Sequence, residues 1–128
     1  MPKLIFIVDD STLVRRLVRN CLESRLEQVV CSEAADGLEA IQRARDSKPD
    51  LVVMDFCMPK LNGMEAAAAL HSMYPRVPMI LYTLHKDIVP EKLAKAAGIR
   101  AVVSKLEPVD KLIGEVLNYV GIARSASA

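Results

Sequence analysis

The chain has 128 residues, 52% hydrophobic and 26% charged, which fits one domain able to bury its core without staples. A net charge of +1 leaves no bulk-charge argument for nucleic acid, membrane or an acidic substrate. Cys21, Cys31 and Cys57 are odd in number and form no C-x-x-C pair, so free, mostly buried thiols in a reducing compartment are expected. Apolar residues begin at Leu4 with only Lys3 before them, and no apolar run approaches membrane-spanning length. Neither a secretory leader nor a membrane helix is therefore expected, and the predicted location is cytoplasmic.

Leu4 to Val8 is a continuous apolar run of the kind found in a central parallel strand, and it ends in Asp9-Asp10. Ser11 or Thr12 then caps a helix whose apolar positions Leu13, Leu17, Val18, Cys21 and Leu22 recur at helical spacing. Val29 to Ala34 is a second, more polar strand expected at a sheet edge, and Asp36-Gly37 turns into a helix from Leu38 to Asp46 with Leu38, Ile41 and Ala44 inward. Leu51-Val52-Val53-Met54 reads as a strand buried on both faces, closing in Asp55. Met58-Pro59 and Leu61-Asn62-Gly63 make the turn before an Ala-rich helix from Met64 to Met73. Val77 to Tyr82 is the fourth strand, ending at Thr83; a helix from Val89 to Ala97 stops at Gly98. Arg100 to Ser104 is the fifth strand, followed by Lys105, and Glu107 to Val120 is the last helix, with Val109, Leu112, Ile113, Val116 and Leu117 on one face. Residues 123–128 are small and polar without periodicity and are expected to form a disordered tail or the start of a linker, leaving 1–122 as the domain.

Strict β/α alternation predicts a flavodoxin-like doubly wound (βα)5 fold. Its five-stranded parallel sheet would run in the order 2-1-3-4-5, with helices on both faces. In such a sheet ligands bind at the carboxyl edge, where this chain places Asp9, Asp10, Asp55, Thr83 and Lys105. Three clustered carboxylates repel one another and invite a hard cation such as Mg²⁺; a lysine and a hydroxyl beside it suit a phosphoryl group. His71 is expected on a solvated helix face and His85 in the loop beside the site, and the methionines are expected to be core or loop fillers.

From Lys3 to Val120 the chain resembles a receiver domain of bacterial two-component response regulators. The resemblance rests on Asp9-Asp10, on Asp55 with Met58-Pro59 and Gly63, on Thr83 and on Lys105. It implies that Asp55 accepts a phosphoryl group from a sensor histidine kinase or phosphotransfer protein. It also implies that Asp10, Asp55 and the backbone carbonyl of Cys57 hold Mg²⁺, with Asp9 acting through water, and that Thr83 and Lys105 contact the phosphoryl oxygens. Activation would shift the face made by the fourth helix, fifth strand and fifth helix. That face carries Lys92, Lys95, Arg100, Asp110, Lys111 and Glu115, a mixture compatible with a homodimer and equally with a solvated surface.

Three departures stand out. Leu106, not proline, follows Lys105; Val102 stands where receivers often carry an aromatic switch residue; and Leu84, where a small residue is common, would narrow access to Asp55. Tyr82 to Asp87, with no proline after Lys105, is most similar to receivers joined to LuxR/NarL-type helix-turn-helix domains. DNA would be reached only through an effector domain absent from these residues. Other functions fit less well. The first strand–helix turn lacks G-x-G-x-x-G, so a dinucleotide site is not expected. Cys57 stands where a haloacid-dehalogenase-type phosphatase needs its second acid, and no Ser/Thr/Gly-rich loop suggests flavin phosphate. A degenerate receiver binding partners without phosphorylation is the alternative.

Cys57 and His85 occupy the variable positions flanking the expected phosphoryl site and are predicted to tune its hydrolysis. Exchanging both should change the dephosphorylation rate; an unchanged rate would remove that role.

Overall fold

A computed structural model describes residues 1–125. Five strands, β1 (Lys3–Val8), β2 (Val29–Ala34), β3 (Leu51–Met54), β4 (Met79–Thr83) and β5 (Ile99–Ser104), alternate with five helices. The helices are α1 (Thr12–Arg25), α2 (Gly37–Asp46), α3 (Gly63–Met73), α4 (Glu91–Ala96) and α5 (Val109–Tyr119). All strand pairs are parallel, in the expected order β2-β1-β3-β4-β5.

Strand alternation divides the core into two layers. Phe6 and Val8 of β1 face a cluster with Ala40, Ala44, Ala66, Ala67 and Leu70, which belong to α2 and α3. Ile5 and Ile7 face the opposite way, onto Val18 and Leu22 of α1 and Leu112, Ile113 and Val116 of α5. Side chains on successive strand residues point to opposite faces, so a strand buried on both sides must be apolar throughout. Met54 and Met79 lie in the core, while Met58, Met64 and Met73 pack against it.

Several expectations shift for identifiable reasons. Leu13 and Leu17 are exposed at 80% and 57%, because α1 turns Val14, Val18, Cys21 and Leu22 to the sheet instead. Leu38 is also exposed; α2 buries Gly37, Ala40 and Ala44, small residues that let it approach α3 so closely that a Cβ on Gly37 would lie 2.8 Å from that of Ala66. The helix expected from Val89 begins at Glu91, after a short 3₁₀ turn at Lys86–Ile88. Pro90 explains this, since it forces the preceding residue out of helical geometry, and Val89 has φ −73° and ψ 120°. Pro108 likewise delays α5 from Glu107 to Val109, and Pro78 defers β4 from Val77 to Met79.

Arg124 forms an isolated antiparallel bridge with Leu26, beside the end of α1: the Glu27 amide donates to the Ala123 carbonyl and the Ser125 amide to the Arg25 carbonyl, each at 2.8 Å. Residues 126–128 lie outside the described residues. His71 is half-buried rather than solvated, with Nδ1 enclosed and its ring against Gly98, where a Cβ would come 2.5 Å from that nitrogen. Of the cysteines, Cys31 is buried, Cys21 intermediate and Cys57 exposed; burial, reinforced by Glu23, pushes the Cys31 thiol up to about 12. Among the described residues no helix is long and apolar enough to cross a membrane.

The β3–α3 connection turns on Gly63. Its amide donates to the Phe56 carbonyl at 2.8 Å, and a Cβ there would sit 2.3 Å from the Asp55 carbonyl oxygen. Asn62 and Glu65 form a reciprocal capping box that starts the helix at this point. Gly63→Ala should cost about 3 kcal/mol through backbone displacement, seen as a lower urea midpoint at unchanged slope.

Candidate acidic and phosphoacceptor site

Register brings the site together. Val8 pairs with Met54 between β1 and β3, so Asp9 and Asp55, the next residues of each, lie side by side. The Asp55 amide donates to the Val8 carbonyl at 2.9 Å, carrying the ladder one step past the strands. Thr83 pairs with Ser104 across β4 and β5, and the Lys105 amide donates to the Thr83 carbonyl at 2.9 Å. Four chain segments thus end at one edge.

Carboxylate oxygens of Asp9, Asp10 and Asp55 lie within 4.8 Å of one another. Asp9 and Asp55 are buried and Asp10 is exposed. Lys105 Nζ reaches Asp9 Oδ2 at 2.7 Å and Asp55 Oδ2 at 3.2 Å. Three acids facing one ammonium leave an excess of negative charge. The donors are all hard oxygens, the class Mg²⁺ selects, so the residues present fit that ion.

Burial pushes the Asp55 carboxyl above the ordinary aspartate range; Lys105 pulls it back and the Asp9 charge pushes it further up. Burial opposes the Lys105 charge, but the hydrogen bond and charge of Asp9, then Asp55, outweigh it and raise the ammonium above its usual value. Both shifts run upward, which favours the charged lysine but the neutral acid, because Lys105 is bound more closely to Asp9 and leaves Asp55 the less compensated carboxylate.

Thr83 is fully buried, and its Oγ1 accepts the His85 amide at 3.1 Å. His85 itself is exposed in the loop, as expected. Cys57 is exposed in the segment between Asp55 and α3. The helix cap falls to Ser11, whose Oγ accepts the Val14 amide at 3.2 Å, so Asp10 is not needed for it. Leu84 is 53% exposed and lines a depression with Lys86, Asp87, Ser104 and Leu106. Every peptide bond among the described residues is trans, as the missing proline after Lys105 leads one to expect. Val102 lines a cavity of about 360 Å³ between α4 and β5 with Val89, Ala94 and Ile99.

Sequence reading missed Arg15 and Glu33. Arg15 Nη1 donates to the Asp9 carbonyl at 2.5 Å, and its Nε bonds Glu33 Oε1 at 3.0 Å. The edge strand β2 therefore supplies a carboxylate behind this end of the sheet. The available signal was a single charge in an otherwise uncharged strand.

A doubly wound parallel sheet with acids and a lysine at its carboxyl edge defines a CheY-like signalling fold, seen also in solved structures of that type. A family model described as the response regulator receiver domain matches residues 5–117, and the chain belongs to that family. It is similar to the polar-differentiation response regulator DivK of Brucella anthropi, 30% identical over 96% of this chain and 100% of that protein. A protein-glutamate methylesterase/protein-glutamine glutaminase of Pyrococcus abyssi is 39% identical over 77% of this chain, which spans only 26% of that relative. The response regulator TrrA of Thermotoga maritima, solved in complex with Mg²⁺-BeF, shows 26% identity over 92% of this chain and 99% of that one, with a TM-score of 0.83. Transcriptional regulatory proteins match too, so the likeness does not single out the LuxR/NarL group.

The upward shift of Asp55 sets the sign of a pH effect. Below the ordinary aspartate value both folded and unfolded chains hold the proton and the group is neutral to stability. As pH rises through the raised value, the buried charge weakens the fold. Without divalent ions, Asp55→Asn should raise the urea midpoint at pH 7 relative to wild type, the advantage fading toward pH 4.

Proposed function

We propose that the chain is a phosphorylation-dependent signalling switch in which Asp55 is the phosphoacceptor. One observation carries this reading: Asp9, Asp10 and Asp55 converge with Lys105 at a single strand edge. The donor is a phosphohistidine on a sensor kinase or phosphotransfer protein. An Asp55 carboxylate oxygen forms the new P–O bond as the donor's P–N bond breaks, and the imidazole leaves with that electron pair and takes a proton from solvent. The product is an acyl phosphate, which water later hydrolyses to regenerate the carboxylate.

Asp10, Asp55 and the Cys57 carbonyl would hold Mg²⁺, with Asp9 acting through water. The ion supplies charge neutralisation for two anions that must approach each other. Lys105, already at 3.2 Å from Asp55, is placed to exchange that contact for a phosphoryl oxygen. Thr83 Oγ1 accepts the His85 amide while its own proton stays available to a phosphoryl oxygen, which links the loop leading into α4 to the modification. Val102 supplies no aromatic rotamer, so the α4–β5–α5 face responds through this loop. Output runs through that face to a partner, a second copy or an effector domain; the chain's own chemistry is limited to gaining and losing phosphate. We place it in the cytoplasm, where such kinases present their phosphohistidine.

The alternative is a phosphorylation-independent module with Leu84 as the obstruction to Asp55. Incubation with Mg²⁺ and a small phosphodonor should give one phosphoryl adduct by intact-mass spectrometry, absent in Asp55→Ala and after chelation. No adduct on wild type with Mg²⁺ binding retained would overturn the proposal in favour of contact-only signalling.

A further inference from the structure

We propose that Arg15, braced by Glu33, is a positioning residue for the acidic site: it fixes the Asp9–Asp10 peptide and so aims Asp10 at Asp55. The inference rests on the reading that Asp9, Asp10 and Asp55 hold a divalent cation.

Asp9 is held at every polar atom. Its amide donates to the Ala34 carbonyl at 3.1 Å, its Oδ1 accepts the Ser11 amide at 2.9 Å, and its Oδ2 takes Lys105 at 2.7 Å. The remaining group, the carbonyl, accepts Arg15 Nη1 at 2.5 Å. That carbonyl belongs to the peptide joining Asp9 to Asp10, so the guanidinium sets the plane from which the Asp10 side chain departs. Asp10 is exposed. Its place within 4.8 Å of the Asp9 and Asp55 carboxylates depends on the backbone that carries it.

The guanidinium is itself fixed. Arg15 Nε bonds Glu33 Oε1 at 3.0 Å, Nη2 reaches Thr12 Oγ1 at 3.2 Å, and the side chain is 13% exposed. The other Glu33 oxygen takes Arg19 Nη1 at 3.1 Å, and Arg19 also pairs with Glu23 at 3.4 Å. Burial opposes the Glu33 charge, yet the bonds from Arg19 and Arg15 hold its carboxyl below the ordinary range. Arg15 reaches the carboxylate through Nε and the carbonyl through Nη1, a fixed planar spread that the single nitrogen of a lysine does not reproduce. Such outer partners of a metal site typically change affinity 10- to 100-fold when removed.

The sign of one measurement separates positioning from simple charge. By Coulomb's law alone, removing a cation near the site tightens Mg²⁺ binding. Loss of positioning weakens it. For Arg15→Gln, calorimetric titration with Mg²⁺ should therefore give a dissociation constant raised about tenfold or more. Arg15→Lys should fail to restore it, while a urea transition shows both variants folded. Glu33→Gln, which keeps Arg15 but loosens it, should weaken Mg²⁺ by a smaller factor and serves if Arg15→Gln does not fold. An unchanged or tightened constant in a folded Arg15 variant overturns the proposal. If wild type takes no Mg²⁺, the phosphoacceptor reading fails. Amide exchange in the metal-free protein then decides the positioning claim: the Ser11 amide should exchange faster in Arg15→Gln, and equal protection would sink it.

Discussion

Lys105 Nζ lies 2.7 Å from Asp9 and 3.2 Å from Asp55, and that shared ammonium lets two buried carboxylates sit side by side. Unpaired, either acid would take up a proton or pull water into the sheet end. The contact requires β1, β3 and β5 to finish at one level, which the Val8–Met54 and Thr83–Ser104 pairings secure. Helix placement, the close α2–α3 packing and the Gly63 turn all follow from holding that edge in register. The compensation is incomplete, and the uncompensated acid is the one assigned to react.

Much of this was legible in the chain itself. Apolar runs such as Ile5–Val8 and Leu51–Met54 announce strands covered on both faces, and the carboxylates that end them mark the acidic edge. What could not be read was which stripe of a helix faces inward when two stripes are apolar. Leu13 and Leu17 compete with Val14 and Val18 at equal spacing, and only docking on the sheet decides between them. Helix starts at Pro90 and Pro108 were misplaced because periodicity was followed where proline geometry prevails. The folded-back tail depends on hydrogen bonds between residues about a chain length apart, which no local pattern encodes.

Support behind the site was the hardest to foresee. Glu33 lies on β2, Arg15 on α1 and Asp9 after β1, and their meeting is a product of topology. Reading strand ends finds groups that face the ligand and overlooks those that face the backbone carrying them. The network also ties the sheet's outer strand to its centre, so β2 is more than a cover for an open edge.

The strand order has a consequence for how the chain forms as it leaves the ribosome. β1 pairs with β2 on one side and β3 on the other, so its central place is complete only when residues near Leu51 have emerged. Until then any pairing of β1 with β2 would leave one apolar edge open, the type of exposed edge that invites mispairing with another chain. Arg15, Arg19 and Glu33 all belong to that early part of the chain. Their ion pairs need nothing from the other half of the sheet, so the β2 side could be tied before that half is available to close it.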